Sequence, residues 1–321
     1  MAEWKNSIAK ITLPTPFPVG DVNVFLVKGD TLTLFDAGVK TEEAWNLFKS
    51  ELHSLNLTPS DIEQVVLTHH HPDHVGLLDF LQVDRILGHE YCDRWIRRDE
   101  KFYPEIRSFY GDLFTSYGVP TMYHDKAFNR LLKTLTFSCT QSLTNVLSEG
   151  MRIPGLEDWI VLETFGHAQG HLSFWNEKER LLIGGDHILS TISSNPIIEP
   201  PLHIDMERPK PLLQYNESLR KMKQYEIIEV LAGHGNEVKQ IYPLIDKRLA
   251  RQHERAMKVK EIINGDRLNG FEICQRLFQD VYERELSLTM WETIGQLDYL
   301  ESLNLLTSEI DENGVLYFQS V

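Results

Sequence analysis

The sequence predicts a layered protein of strands and helices in which several buried strands end at one edge with a histidine or an aspartate. Each strand is a short apolar run. Most of the runs are followed by glycine, which lets the backbone turn with a positive φ and approach an ion closely. The runs are Val65–Leu67 before His69, Trp159–Phe165 before His167, Leu181–Ile183 before Asp186, and Val230–Ala232 before His234. Ligand-type side chains at neighbouring strand ends predict a metal site.

The segment after the first of these runs has an unusual density of potential metal ligands. Four of them fall within six residues, namely His69, His71, Asp73 and His74. In an extended chain, side chains two residues apart point to the same side, so His69 and His71 can converge on one ion. Pro72 favours the first turn of a helix, and that turn directs Asp73 and His74 to a neighbouring point. The spacing predicts two metals side by side; a histidine-rich solvated loop is the alternative reading.

These motifs, taken in order, resemble those of the metallo-β-lactamase superfamily. The motifs are H-x-H-x-D-H (His69 to His74), G-H-x-x-G-H (His167), G-G-D (Asp186) and G-H-G (His234). Residues 23–27 and 34–38 also resemble the opening strands and the acidic-small-Gly turn of that family. The resemblance covers about residues 8–260 and is nearest to glyoxalase II-like hydrolases and to β-lactamase-like proteins with a C-terminal winged-helix tail. It implies an α+β fold, an αββα sandwich of two mixed sheets with helices outside.

The resemblance also implies a role for each residue of the site. One metal ion would be held by His69, His71 and His167, the second by Asp73, His74 and His234, and Asp186 would bridge both. Zinc is the expected metal because imidazoles suit it, and the carboxylates also admit iron or manganese. A hydroxide bridging the two ions would attack an ester-type bond, with Asp73 acting as a catalytic residue that orients it.

Four neighbouring polar residues are expected to lie outside the ligand set. His70 is on the opposite side of the extended segment, so it is expected to meet solvent or a backbone group. The resemblance gives His171 a supporting role, and His187 is expected either to hydrogen-bond near the site or to pack locally. Asp36 is expected to be a turn carboxylate that binds backbone N–H groups and supports the site from behind.

Composition restricts the choice of partner and compartment. The net charge of −15 at pH 7 disfavours nucleic acid, which is usually bound by basic surfaces. The cysteines, Cys92, Cys139 and Cys274, lack paired spacing and indicate reduced thiols. The N-terminus lacks a secretion-signal pattern, and no uninterrupted apolar stretch approaches the length of about 18 residues needed to span a bilayer. We therefore expect a cytoplasmic protein with no membrane partner.

A helical insert rich in aromatic residues is predicted at about residues 88–145. Apolar side chains recur at helical spacing around Ile106–Phe114 and Ala127–Leu135, which predicts two or three helices. Most of the aromatic residues are expected to pack the insert onto the core. The insert is also expected to form a lid or a side wall of the site, since insertions beside active sites commonly set specificity.

The chain is expected to divide into a catalytic domain, residues 1–265, and a winged-helix-like C-terminal domain, residues 266–321. Helical periodicity in the tail is followed by two apolar runs that flank Asn313-Gly314, a strong hairpin signal. The second helix carries Glu292, Asp298 and Glu301 with no Arg or Lys, contrary to what DNA contacts require. Packing, a substrate wall or a homodimer contact is favoured instead.

The leading functional hypothesis is a dinuclear metal-dependent hydrolase acting on a small thioester or related acyl substrate. The first alternative is a phosphodiesterase or ribonuclease with the same site, because related proteins with winged-helix tails include such enzymes. That chemistry would require basic residues over the site, which the sequence does not clearly offer. The second alternative is a non-catalytic ligand-binding protein, since fold alone does not fix function.

Overall fold

Two β-sheets form the centre of the computed structural model, which describes residues 1–203 and 206–321. The first sheet contains seven strands in chain order: β1 (Trp4–Lys5), β2 (Ile8–Leu13), β3 (Val22–Lys28), β4 (Leu32–Phe35), β5 (Gln64–Val66), β6 (Ile86–Gly88) and β7 (Asn145–Val146). The second contains five: β8 (Arg152–Ile153), β9 (Leu156–Glu163), β10 (Leu172–Asn176), β11 (Leu181–Gly185) and β12 (Glu229–Ala232). Both sheets mix parallel and antiparallel pairs.

The helices of the described residues lie around these sheets and towards the C-terminus. They are α1 (Glu42–Ser54), α2 (Pro72–Val75), α3 (Glu90–Arg97), α4 (Phe102–Ser116), α5 (His124–Leu135), α6 (Pro211–Met222), α7 (Ile241–Ile263), α8 (Gly270–Leu277) and α9 (Leu286–Ser302). None of them is long and apolar enough to cross a membrane. A third sheet of three strands ends the chain: β13 (Leu268–Asn269), β14 (Leu306–Ile310) and β15 (Leu316–Ser320).

The two large sheets pack face to face through one hydrophobic cluster. Phe25 and Val27 of β3 point into it, together with Phe35 of β4, and they meet Trp159 and Phe174 of the second sheet. The ring centroids of Phe35 and Phe174 are 5.1 Å apart in an edge-on arrangement. Because side chains alternate along a strand, the residues between these point outward and require a second layer of cover.

Helices provide that cover on both outer faces. Val24 and Leu26 of β3 pack with Phe48 and Leu52 of α1 on one side. On the other side, residues of β11 and β12 pack with buried side chains of α6 and α7. The order of layers is therefore helix, sheet, sheet, helix, which confirms the predicted αββα sandwich.

The helices predicted from periodicity lie where the pattern indicated. Apolar side chains at helical spacing predict a helix within residues 41–54. Helix α1 begins there after Thr41, whose side chain accepts a hydrogen bond from the N–H of Ala44 and caps the helix. The insert contains three helices, α3 to α5, within the predicted range. In the tail, α8 and α9 precede the hairpin of β14 and β15, whose strands pair antiparallel around the predicted turn.

The insert and the tail share one hydrophobic cluster. Buried residues of α4, such as Phe114, pack in the same cluster as Met290 of α9, Phe318 of β15 and Ile263 of α7. Trp291 of α9 approaches Tyr110 of α4, with ring centroids 6.0 Å apart. The aromatic residues of the insert therefore have a packing role, as expected, but mainly against the tail. The division of the chain into two domains at residue 265 stays a prediction.

A buried ion pair joins the tail to the segment that precedes α6. The Arg208 guanidinium donates hydrogen bonds of 2.6 and 3.0 Å to the two carboxylate oxygens of Asp298, whose side chain is 3% exposed. The same guanidinium contacts the Tyr117 hydroxyl of the insert. Burial raises the pKa of Asp298, although Arg208 opposes that shift. The arginine thus offsets only part of the cost of burying the carboxylate.

Replacing Arg208 with methionine should reduce the free energy of unfolding by about 3 kcal/mol at neutral pH, because a buried charge then loses its partner. The loss should become smaller in acid: a buried carboxyl with a raised pKa binds its proton more tightly in the folded protein, so lowering the pH favours the folded state. Urea unfolding at several pH values measures both effects. Arg107→Met, which removes an exposed pair with Asp125, is the control and should cost less than about 1 kcal/mol. Equal losses in the two variants would contradict the expectation.

Candidate metal centre

Strand direction brings the predicted site residues to one edge of the sandwich. Strands β9 and β11 both pair antiparallel with β10, and β12 pairs parallel with β11, so these three strands run the same way. Their C-terminal ends lie at one edge, where His167, Asp186 and His234 follow. A backbone hydrogen bond of 2.7 Å from the N–H of Leu172 to the carbonyl of Thr68 joins the end of β5 to the same edge.

Three imidazoles meet at the first position. Nε2 of His69 lies 2.9 Å from Nδ1 of His71, and Nε2 of His167 lies 3.0 Å from that same Nδ1. These nitrogens are close enough together to bind one ion. Burial, reinforced by the neighbouring His71, lowers the pKa of His167 to about 4. The imidazole is therefore neutral, which is the form that binds a metal.

A second group lies beside the first, on α2 and the loop after β12. Asp73, His74 and His234 bring their side chains within binding distance of one ion. Nε2 of His234 is 3.3 Å from Oδ2 of Asp73. Pro72 at the first position of α2 starts the helical turn that separates Asp73 and His74 from the preceding histidines.

Asp186 lies between the two groups. Its Oδ2 is 3.5 Å from Nε2 of His167 in the first group and 3.5 Å from Nε2 of His234 in the second. Its Oδ1 is 3.5 Å from Nε2 of His74. The structure thus brings together all seven residues predicted from the sequence, with the predicted bridging residue in the middle.

Several buried polar atoms of this cluster are better suited to binding a cation than to hydrogen-bonding with one another. Among the described residues, Nε2 of His74, Nε2 of His234 and Oδ1 of Asp186 are buried without a hydrogen-bond partner. Burial opposes the charged form of His234, yet Asp186 and Asp73 raise its pKa to about 10. Unsatisfied buried polar atoms are costly, and carboxylates that attract protons to nearby imidazoles attract a metal cation in the same way. The donors therefore fit a pair of divalent ions.

The sequence profile of the metallo-beta-lactamase superfamily matches residues 17–234, a range that includes all seven clustered residues. The chain belongs to this superfamily. It is 44% identical over 315 residues to the probable metallo-hydrolase YqjP of Bacillus subtilis, and the match covers 98% of each chain. It is also 22% identical to the beta-lactamase-like protein 2 homolog of Caenorhabditis elegans, covering 94% of this chain and 83% of the relative.

Solved structures agree on the fold along the whole chain. A metallo-beta-lactamase family protein of Thermus thermophilus superimposes with a TM-score of 0.80 at 24% identity, covering 98% of this chain and 99% of the other. A beta-lactamase domain protein of Burkholderia ambifaria gives a TM-score of 0.77 at 21% identity, covering 99% and 93%. Membership of the superfamily, with a histidine and aspartate cluster able to bind metal, confirms the expectation of a metal-dependent hydrolase.

Polar groups behind the clustered histidines of this protein hold the imidazole rings in place. Oδ2 of Asp36 lies 2.8 Å from Nδ1 of His74, and Oδ1 accepts a hydrogen bond of 2.7 Å from the N–H of Thr68. This confirms the expectation that Asp36 supports the site from behind. His171 also has its expected supporting role, because its Nε2 accepts a hydrogen bond from the N–H of Asp186. His187 is buried and packs edge-on against the ring of Tyr215.

The expectation for His70 was wrong. The side chain is buried, so it does not meet solvent, and it contacts a carboxylate rather than a backbone group. Nε2 of His70 lies 2.8 Å from Oε1 of Glu199, without the geometry of a hydrogen bond. Its ring stacks on Trp95 of α3, with centroids 4.7 Å apart. Strand alternation gave the side on which His70 lies but not what covers that side.

Two other residues of the site were missed by the sequence analysis. Glu199 lies in a proline-containing segment with no regular spacing that could single it out. The side-chain amide of Asn23 donates 2.9 Å hydrogen bonds to the carbonyls of Ala232 and Gly235, on either side of His234. It fixes the His234 loop against β3, across the two sheets. Only its place in a buried apolar strand could have drawn attention to Asn23.

Replacing Asp186 with alanine should remove metal from both positions, because the carboxylate faces both groups. Elemental analysis after dialysis against a buffered divalent metal should find about two ions per chain in the wild type and far fewer in Asp186→Ala. Asp158→Ala, which changes an exposed aspartate of β9, is the control and should keep the wild-type content. Retention of two ions by Asp186→Ala would rule out a bridging role.

Proposed function

We propose that the seven clustered residues hold two divalent metal ions and that the protein hydrolyses a thioester or a related ester-type acyl bond. The observation that carries the proposal is the position of Asp186, with one carboxylate oxygen within 3.5 Å of an imidazole from each group. Zinc is the metal we expect, since imidazole nitrogens outnumber carboxylates in the cluster. When bound there, two ions would activate a water molecule and polarise the acyl oxygen.

The exposed side of the cluster supports a particular path for substrate and water. The side chains of His71 and Asp73 are 18% and 10% exposed, whereas that of His74 is fully buried. Since His71 is the most exposed member of the cluster, water and the acyl group would approach from its side. A carboxylate oxygen of Asp73 would orient the attacking water and accept its proton.

The charges around the site favour an acyl substrate over a phosphodiester. Arg94, on the insert, is bound to Glu105 and to the carbonyl of Pro201. Arg248 donates to the carbonyls of Leu189 and Ile192, in the loop that follows Asp186. Arg94 is thus engaged and Arg248 is 5% exposed, whereas phosphate recognition depends on accessible cationic donors. The net charge of −15 adds a long-range repulsion against polyanions.

The tail offers little to a nucleic acid. On α9, Asp298 and Glu292 form ion pairs with Arg208 and Arg255. These two arginines are therefore engaged by the helix and are not available to phosphate groups. A winged-helix-like domain that binds DNA is therefore not proposed. We propose that the tail supports the insert, which forms a side wall of the site; a homodimer contact stays a prediction. The cysteines are free and buried, which suits the reducing cytoplasm expected from the sequence.

A parallel hydrolysis assay tests this function. Protein loaded with zinc is incubated with an S-acyl thioester of a small thiol and, separately, with an activated phosphodiester, each with and without a chelator. We expect turnover of the thioester that the chelator abolishes. Phosphodiester turnover alone would reverse the choice of substrate, and binding of both ions without turnover of either compound would overturn both substrate classes.

Asp73→Asn should lower kcat for the thioester by about 100-fold or more, because the amide cannot accept a proton from the attacking water. The zinc content of the first group should change little, since Asp73 belongs to the second. The rate is compared with that of Asp158→Asn, which should match the wild type. Wild-type kcat in Asp73→Asn would remove Asp73 from the mechanism.

A further inference from the structure

The segment of residues 195–201 connects the candidate metal centre to the helical insert. At one end, the carbonyl of Asn195 lies 2.9 Å from Nδ1 of His167, and the N–H of Ile197 donates to the carbonyl of the same histidine. At the other end, the hydroxyls of Tyr110 and Tyr91 donate to the carbonyls of Ile198 and Pro200, at 3.0 and 2.7 Å. The segment has no regular secondary structure, so these contacts fix its path.

Glu199, in the middle of this segment, directs its carboxylate inward. The side chain is 2% exposed. Oε2 accepts a hydrogen bond of 2.8 Å from the N–H of Gln169, which follows the His167 turn. Oε1 lies 2.8 Å from Nε2 of His70 and 3.8 Å from Nε2 of His71. The carboxylate is therefore buried and contacted on two sides.

The neighbouring imidazoles of the cluster explain why this carboxylate matters. Nδ1 of His74 lies 2.8 Å from Asp36, and Nδ1 of His234 lies 2.8 Å from the carbonyl of Asp21. Nδ1 of His69 likewise meets the Thr68 hydroxyl. His71 is reversed: its Nδ1 faces the cluster and its Nε2 faces away. Within residues 1–203 and 206–321, Glu199 is the acidic group near that Nε2.

We propose that Glu199 is a positioning residue for His71. The second ring nitrogen of a metal-binding histidine is usually oriented by a carboxylate or carbonyl, which fixes the tautomer and the ring orientation. Oε1 of Glu199 lies 3.8 Å from Nε2 of His71 and acts on it through charge rather than through a hydrogen bond. Tyr91 and Tyr110 hold the backbone on either side of Glu199. The placement of the insert helices therefore affects the orientation of the His71 ring at the first metal position. This inference rests on the proposed two-metal function.

Metal titration of the apoprotein tests the inference without any substrate. Zn²⁺ is added in competition with a chromophoric chelator, and the two dissociation constants are assigned by comparison with His71→Ala and His234→Ala. Glu199→Gln keeps the shape and removes the charge. It should weaken binding at the position of His71 by about 10- to 100-fold and leave the other position within about threefold. Co²⁺ absorption spectra should change for the same position.

Two further variants separate positioning from general damage. Glu105→Gln is the matched control. Glu105 binds Arg94 and touches none of the clustered histidines, so this variant should bind both ions as the wild type does. Tyr110→Phe removes the hydroxyl that holds the carbonyl of Ile198, and it should weaken the position of His71 in the same direction as Glu199→Gln but less. If Glu199→Gln does not fold, Tyr110→Phe replaces it as the test variant.

The outcomes distinguish this inference from the function on which it rests. Two ions in the wild type with unchanged dissociation constants in Glu199→Gln would overturn the role of Glu199 and leave the hydrolase intact. Equal weakening at both positions would also overturn it, because His71 belongs to one. A wild-type protein that binds no divalent metal would overturn the proposed function first.

Discussion

A buried carboxylate surrounded by imidazoles is the constraint on which the rest of the structure depends. Asp186 has a side chain only 8% exposed, and it faces His74, His167 and His234 at 3.5 Å each. An isolated charge in such a position would be very unfavourable, so opposing charge must be brought to it. The parallel run of β9, β11 and β12 achieves this, because their ends deliver the surrounding residues to one edge of the sandwich.

A second arrangement extends outward from that edge. The insert does not rest on the sandwich alone, since it shares its hydrophobic cluster with α7, α8, α9 and the C-terminal hairpin. The tail therefore stabilises the helices whose tyrosines hold residues 195–201 beside His167. Residues far from the candidate metal centre in sequence, such as Asp298 and Phe318, stabilise the insert through this chain of contacts. Tail packing and the position of residues 195–201 are consequently linked in one structure.

Local patterns predicted most of the fold and the candidate ligands. The helical spacing of Ala44, Phe48 and Leu52 gave α1, and the Asn313-Gly314 turn gave the hairpin, because both depend on residues close in sequence. For the His69–His74 run, side-chain alternation in an extended chain and the helix start at Pro72 were enough to predict the local geometry. The prediction for His70 failed because what lies opposite a residue of an extended segment depends on parts of the chain that pack against it from elsewhere. Glu199, Asn23 and the Arg208–Asp298 pair escaped notice for the same reason.

The sequence by itself determined several buried strands and helices, and its motifs, through their resemblance to the superfamily, implied the αββα sandwich and the seven candidate ligands. These follow from periodicity and from short motifs, which depend only on residues close together in the sequence. Only the tertiary structure decided which groups stand behind the ligands, that Glu199 faces His70 and His71, and that the insert packs on the tail. Those pairings join residues well separated in sequence, such as Asp36 and His74, 38 positions apart, or Arg208 and Asp298, 90 positions apart. No local pattern encodes which distant residue will fill a given space.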